Sequence, residues 1–376
     1  PIGEFVNDLV VYVRLTNLTA TSSLDKVRYF EMLGHRLFKR VSFKIRNSEI
    51  DYYTSEVANA HYAFEIQPNK SQSYLKNIGQ EVPVEGLLTA DPATDEYREY
   101  RQFGEGPQTF KRTHSTVEMW IPLLFWFREL KCALPNFLLP KNQTEIQIEL
   151  ESDTNIIAYA NYGGGGNYTA PSIACNMYVN HIFLTPQIHE IFVKNYGHQL
   201  VRVHRIHTAK LNSHEGDIKL SNLKWSIESL YIGFRPTANT TNSRKWHRNS
   251  VITERTSKQA IVTGASSIQV SNAYYLYEVS PVAKLELKVS GNVLYPLLEP
   301  EFYNNYTPFR YGKHTISSPP IGWFYIPFAF EPGAYQPTGL LNSSRIRETY
   351  LHYISGINTN TSEYYINNSS ETELIV

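Results

Sequence analysis

Several segments of this chain alternate apolar and polar residues with a period of two, and that period restricts the fold more than any other feature. Val41, Phe43 and Ile45 alternate with Ser42, Lys44 and Arg46. Ile146, Ile148 and Leu150 alternate with Glu145, Gln147 and Glu149, and Leu285, Leu287 and Val289 with Glu286, Lys288 and Ser290. Successive side chains of a strand point to opposite faces, so each segment reads as a strand with one face on a core and the other in water. "WIPLLFWF" (120–127) and "WFYIPFAF" (323–330) lack the alternation and are expected to be strands buried on both faces. Their internal prolines, Pro122 and Pro327, point to an edge position or a bulge. Gly291-Asn292, just after Val289, is expected to turn the chain.

One short helix is legible. Thr185 is placed to cap it and Pro186 to begin it, with Ile188, Ile191 and Phe192 on one face and an end near Asn195 to Gly197. With 27 Tyr and 18 Phe against 3 Met, the composition favours strands and broad contact surfaces. The fold class expected is all-β. Three polar stretches, near 68–116, 152–174 and 235–270, interrupt the strands and are expected to be functional or interaction loops. The strand-rich blocks on either side of residues 185–200 are alike in kind, which suggests a duplicated sandwich.

The charges exclude some partners. Lys plus Arg and Asp plus Glu each total 35, leaving no global field to attract nucleic acid or an anionic membrane. The apolar run ending at Phe127 is closed by Arg128 and Glu129, well short of the roughly 20 residues a spanning helix needs. No signal peptide is visible, and Pro1 stands where an initiating Met would. Cys132 and Cys175 make no disulfide framework, and a reducing compartment is expected.

Catalytic and ligand-binding patterns are equally sparse. Gly163 to Gly166 is followed by Asn167, Tyr168 and Thr169, not by the Lys and Ser/Thr of a phosphate-binding loop, and reads as a flexible linker. His204 and His207 fall on opposite faces of an extended segment and are not expected to share an ion, with or without His214. No GxSxG turn is present, and nothing near either cysteine activates a thiol. Glu149 and Glu151 read as solvent-facing carboxylates. Sequons at Asn17, Asn142, Asn167, Asn305 and Asn342 are expected from an Asn-rich chain by chance. No catalytic, cofactor-binding or metal-binding residue is assigned.

Four stretches carry a resemblance. "WIPLLFWFRELKCALPNFLLPKNQTEIQIEL" (120–150), "NMYVNHIFLTPQIHEIFVKN" (176–195), "LKWSIESLYIGFRPT" (223–237) and "IPFAFEPGAYQPTGLLNSSRIRETYL" (326–351) resemble, in order, segments of the major capsid proteins of nucleocytoplasmic large DNA viruses. Within the last, Tyr335, Gln336, Pro337, Thr338 and Gly339, followed by Asn342, Ser344 and Arg345, match a hallmark of that family. "YLKNIGQEVPVEG" (74–86), "GPQTFK" (106–111), "LVRVHRIHT" (200–208) and "RKWHR" (244–248) look most like the branch of African swine fever virus and its amoeba-virus relatives.

The resemblance implies two tandem antiparallel jelly-roll sandwiches, residues 1–195 and 196–376, with little helix. It implies that the family's N-terminal arm and first strand are missing here, as is its last strand. It further implies a homotrimer forming a pseudo-hexagonal capsomer within an icosahedral shell. Neighbouring capsomers and the penton and minor capsid proteins would be its partners, in a virion assembled in the host cytoplasm. The hallmark residues are expected to be structural. Arg244, Lys245, Trp246, His247 and Arg248, the most basic window, are expected to contact a neighbouring subunit. The rival reading is a carbohydrate-binding or glycan-active β-sandwich, since jelly rolls also host those functions.

Overall fold

The alternating segments become strands because each places one apolar row against a core. In the first half the principal strands are Phe5–Leu15 (β1), Phe38–Ile45 (β2), Ser48–Thr54 (β3), Val117–Pro122 (β4), Thr144–Leu150 (β5) and Ile173–Ile182 (β6). They pair antiparallel in two sheets, ordered β6-β1-β4 and β5-β2-β3. The second half contains Thr208–Leu211 (β7), Glu215–Lys219 (β8), Ser229–Pro236 (β9), Val282–Val289 (β10), Asn292–Leu298 (β11), Trp323–Pro327 (β12), Thr349–Ser355 (β13) and Thr372–Ile375 (β14). Its sheets run β7-β14-β9-β12 and β8-β13-β10-β11, again antiparallel. The computed structural model describes the chain outside residues 1–2, 83, 92–95, 103–105, 141–142, 163–165, 196–198, 264–266, 313–315, 318 and 359–360, and side chains outside 83–105 and 253–277.

Each half closes on its own core. Val11, Val13, Leu15, Val41, Phe43, Met119 and Ile121 meet in the first, and Ile232, Phe234, Leu285, Leu287, Phe324, Ile326, Leu351 and Leu374 in the second. Full burial of one such side chain stabilises by about 1.5–3 kcal/mol, so these two clusters dominate the fold's stability. The halves also share a turn. Arg46-Asn47 joins β2 to β3 and Ser290-Gly291 joins β10 to β11, with φ positive at both residues of each pair. That conformation matches the twist of a two-residue hairpin, and it realises the turn expected at Gly291.

Several expectations change. The run Trp120–Phe127 is not one doubly buried strand: β4 ends at Pro122, with one last backbone bond from the Leu123 N–H to the Leu9 carbonyl at 2.9 Å. Leu123, Leu124, Phe125 and Phe127 then fill the first core through a 3₁₀ turn, while Trp120 stays 43% exposed against Tyr12 and Tyr178. In the second aromatic run only β12 is strand, and it is buried at every position before Phe330 emerges into solvent. The alternating β5 is only half-buried at Ile146 and Ile148, and Leu150 is exposed.

Helix is more plentiful than expected. Ser55–Glu65 (α1) and Pro68–Asn77 (α2) join Pro186–Asn195 (α3). The helix α3 starts with Pro186, and the His189 N–H donates to the Thr185 carbonyl. Ile188 and Ile191 on that helix are exposed, and Phe192 lies edge-on to Phe5. The polar stretches also hold regular elements among their described residues. The 68–116 stretch contains α2 and a hairpin of Val84–Asp91 with Glu96–Gln102, and the 235–270 stretch leads into a hairpin of Val251–Thr263 with Ser267–Val279. Gly163–Gly165 and Asn142 lie outside the described residues.

Candidate functional site: the sandwich junction and the exposed faces

Helix α1 leaves the first sandwich directly after β3 and lies against the second. At its C-terminal end Phe64 is fully buried, with its ring centroid 5.0 Å from Tyr231 and 5.9 Å from both Trp323 and Tyr325. The last carbonyls of a helix have no partner inside it. Here Ser317 of the second half supplies one, donating its backbone N–H at 2.5 Å and its hydroxyl at 3.1 Å to the Phe64 carbonyl.

Charged groups reinforce the contact. Arg235, from β9, has a side chain only 4% exposed and donates to Glu56 of α1 at 3.2 Å and to Glu373 of β14 at 2.6 Å. Burial works to raise the Glu56 carboxyl, but the Arg235 charge and hydrogen bonds overcome it and hold the group below its ordinary value. His204, in the segment entering the second half, donates its N–H to buried Asp51 of β3 at 2.8 Å. His207 instead pairs through its backbone with Val376, so the two histidines face different partners. Among the described residues no group of three or more His, Cys, Asp or Glu could hold a metal, and no helix is long and apolar enough to cross a membrane.

The basic window is divided between inside and outside. Trp246 is fully buried beside Phe30, Met32 and Ile78 of the first half. Its indole N–H donates to the Glu31 carbonyl at 2.5 Å, and the Arg36 guanidinium lies 4.8 Å from its ring centroid. The expectation that Trp246 reaches a neighbouring subunit is therefore corrected: its whole surface is already consumed within its own chain. His247 is partly buried, and Arg248 pairs with Glu278. Arg244 is exposed and Lys245 half-exposed, so these two remain free to face outward. No local pattern announced the tryptophan's role, because its partners lie some two hundred positions earlier in the chain.

The 335–345 motif is built as a loop clamp. Thr338 Oγ1 accepts from the Glu331 N–H at 2.8 Å, and Glu228 accepts both the Gly333 N–H at 3.0 Å and Arg202 Nε at 2.6 Å. Gly339 has no room for a side chain, since a Cβ there would sit 2.9 Å from the Phe328 carbonyl oxygen. Buried Ser343 takes the Trp225 N–H at 2.9 Å and donates to the Trp225 carbonyl at 2.7 Å, while Ser344 donates to Asn342 at 2.5 Å. Tyr335, Gln336, Pro337 and Arg345 are exposed. The important residue that the motif reading missed is Ser343, the unassigned position inside Asn-x-Ser-Arg.

A cleft beside α1 is lined by Asp8, His61, Glu65, Lys70, Tyr74 and Arg128. Arg128 pairs with Glu65 and His61 there, so its charges are spent on holding the helix. Burial pushes His61 down to about 3 and His35 to about 4, the latter with its ring bonded to Asn59 and Tyr74. Neither histidine is poised for proton transfer near neutrality.

Comparison with known proteins decides what such a molecule is. A family model described as large eukaryotic DNA virus major capsid protein matches residues 182–375, and one for the major capsid protein N-terminus matches residues 2–185. The chain belongs to the large DNA virus major capsid protein family. It is 27% identical over 452 residues to hexon protein p72 of African swine fever virus, covering 91% of this chain and 70% of p72. The Faustovirus major capsid protein superposes with a TM-score of 0.82 at 24% identity, over 100% of this chain and 84% of that one. The PBCV-1 virus capsid gives 0.65 at 15% identity, over 99% and 86%. These likenesses establish the double jelly roll, and membership of the capsid family establishes a structural role in the shell.

Proposed function

We propose that three copies of this chain form a pseudo-hexagonal capsomer that tiles the icosahedral shell of a large double-stranded DNA virus. Two antiparallel sandwiches of similar strand order, fixed to each other by α1, make each subunit a pair of similar blocks. Three subunits then supply the six blocks of a near-hexagonal ring. The observation that carries this reading is surface area. The chain exposes 21,239 Å², whereas a compact monomer of its mass would expose about 15,000 Å². Part of the surplus is apolar: Phe309 is 84% exposed, Phe330 79%, Leu200 72% and Leu130 69%. Obligate interfaces of roughly 2,000 Å² or more would cover much of it.

In this reading the two hairpins and the outward-facing Arg244 and Lys245 clasp neighbouring subunits. Further contacts are made with neighbouring capsomers and with penton and minor capsid proteins, in a virion assembled in the host cytoplasm. The protein acts by assembly, without catalysis, cofactor or direct contact with nucleic acid. Light scattering of the main chromatographic peak, followed by negative-stain imaging, tests the reading. Three times the 43.3 kDa chain mass and a hexagonal outline are expected. A complete polypeptide that stays monomeric with a folding chaperone present, and that binds or cleaves glycans, would replace the capsomer reading with the carbohydrate one.

A further inference from the structure

The outer face of the sheet β6-β1-β4 carries aromatic rings that the core does not use. The register sets Pro122, Val10 and Tyr178 side by side across the strands, then Trp120, Tyr12 and Asn176, then Glu118, Arg14 and Ala174. All of these share one face, because Leu9, Val11 and Val13 alternate with them into the first core. Trp120 is 43% exposed and Tyr178 51%. The Trp120 ring centroid lies 4.8 Å from that of Tyr12 and 5.3 Å from that of Tyr178, so the rings form one continuous apolar platform.

The borders of the platform are polar. At one end Glu118 takes the Tyr12 hydroxyl and lies 3.9 Å from Arg14, so the two charges there cancel. Along β6, Asn176 and Asn180 are exposed. At the other end Asp8 is the extra residue of the bulge between Asn7 and Leu9, with φ of 63°. A bulge re-aims a side chain, and Asp8 lines, with Pro122, Gln67 and Lys70, the cleft of about 320 Å³ beside α1. Through Pro122 and Asp8 the platform therefore runs into the cleft.

Size and charge identify the occupant. Strands about 4.8 Å apart and a rise of about 3.3 Å per residue from Val10 to Arg14 make the face roughly 10 by 13 Å. That is a small fraction of the roughly 800 Å² per partner that a stable protein interface buries. Arg14 offsets Glu118 and Lys70 offsets Asp8, leaving no net charge to draw an ion. What remains is a set of rigid rings edged by amides and carboxylates. A neutral sugar has the matching surfaces: a C–H face to lie on a ring and equatorial hydroxyls to bond at the edge. We propose that this face binds a neutral, β-1,4-linked oligosaccharide, with successive sugars on Trp120 and Tyr178 and the chain entering the cleft past Asp8. The equatorial linkage keeps such a chain extended, so that neighbouring sugars reach neighbouring rings, whereas an α-1,4-linked chain curls away from the sheet. The site stands on the geometry of the rings and is independent of capsomer formation.

The test titrates cellotriose, chitotriose and maltotriose, at roughly millimolar concentrations, against the protein in its native oligomeric state. Calorimetry reads binding, and tryptophan emission reports the exposed indole. Cellotriose or chitotriose should bind, and maltotriose at least about tenfold more weakly. Trp120→Ala and Tyr178→Ala should each lose about tenfold in affinity or more, while Trp120→Phe, which keeps a ring, should retain most of it. Trp225→Ala, at an exposed ring away from this sheet, should bind as the parent does. Binding that survives both alanine variants, maltotriose bound as tightly as the other two, or no response to any of the three would overturn the site. A parent that binds no sugar, together with a Trp120→Ala variant that no longer associates, would give this face to a second copy and overturn the proposal.

Discussion

Arg235 places its guanidinium 3.2 Å from the Glu56 carboxylate, joining a strand of the second sandwich to a helix that grows out of the first. Glu373 shares the same cation at 2.6 Å, so one nearly buried charge holds three elements. Breaking a buried pair from one side leaves an uncompensated charge, at a cost of about 3–5 kcal/mol. Arg235→Met should lower the urea midpoint accordingly. The double variant with Glu56→Gln should lose less than the sum of the two single losses. Strict additivity would show that the two groups do not interact.

Phe64 is the apolar half of the same junction. Phe64→Ala removes a fully buried ring and should cost about 3–5 kcal/mol. Because the ring lies between the halves, limited proteolysis should then begin in the residues that join them. A cleavage pattern unchanged from that of the parent protein would place the ring's contribution elsewhere.

Trp246 and Arg244 separate an internal role from an external one. Trp246→Ala should lower the melting temperature by a cost again near 3–5 kcal/mol. Arg244→Glu, at an exposed position, should leave the free energy of unfolding within about 0.5 kcal/mol. Differential scanning fluorimetry reads both. An unchanged melting temperature for Trp246→Ala, together with lost association, would return the tryptophan to the subunit interface.

Acid should loosen the subunit. Burial lowers His35 to about 4 and His61 to about 3 from an ordinary 6.5, so the unfolded chain binds more protons than the folded one in between. Stability is then fully present above pH 6.5 and declines as pH falls toward 4, each histidine contributing up to about 1.4 kcal/mol per pH unit. Urea midpoints at pH 7.5 and 5.0 measure the decline, and His61→Gln should make it shallower. A midpoint insensitive to pH across that range would contradict the burial of both rings.

Much of this architecture was legible because a strand writes its burial locally. The alternation at Leu285–Val289 appears in the structure much as read, and so does the helix begun by Pro186, whereas in the Val41–Ile45 strand Ser42, read as facing water, is buried beside Val41 and Phe43. Chemistry that depends on distant partners was not legible. Nothing around Trp246 tells that Glu31 and Arg36 await it, and its basic neighbours suggested a surface. Helix α1 escaped notice because its apolar residues, Val57, Ala58, Ala63 and Phe64, face two sandwiches and so follow no single stripe. The run at Trp120 misled because continuous apolarity marks burial without fixing the direction of the chain.

The capping of α1 by Ser317 sets a timetable for synthesis. The Phe64 carbonyl emerges from the ribosome long before residue 317, and Glu56 long before Arg235 and Glu373. At roughly 5–20 residues per second, the first sandwich waits for tens of seconds with a helix end unsatisfied and the Phe64 ring in water. The nascent first half is thus a sticky intermediate whose last contacts arrive only with the final strand, and guarding that interval is a natural task for a chaperone.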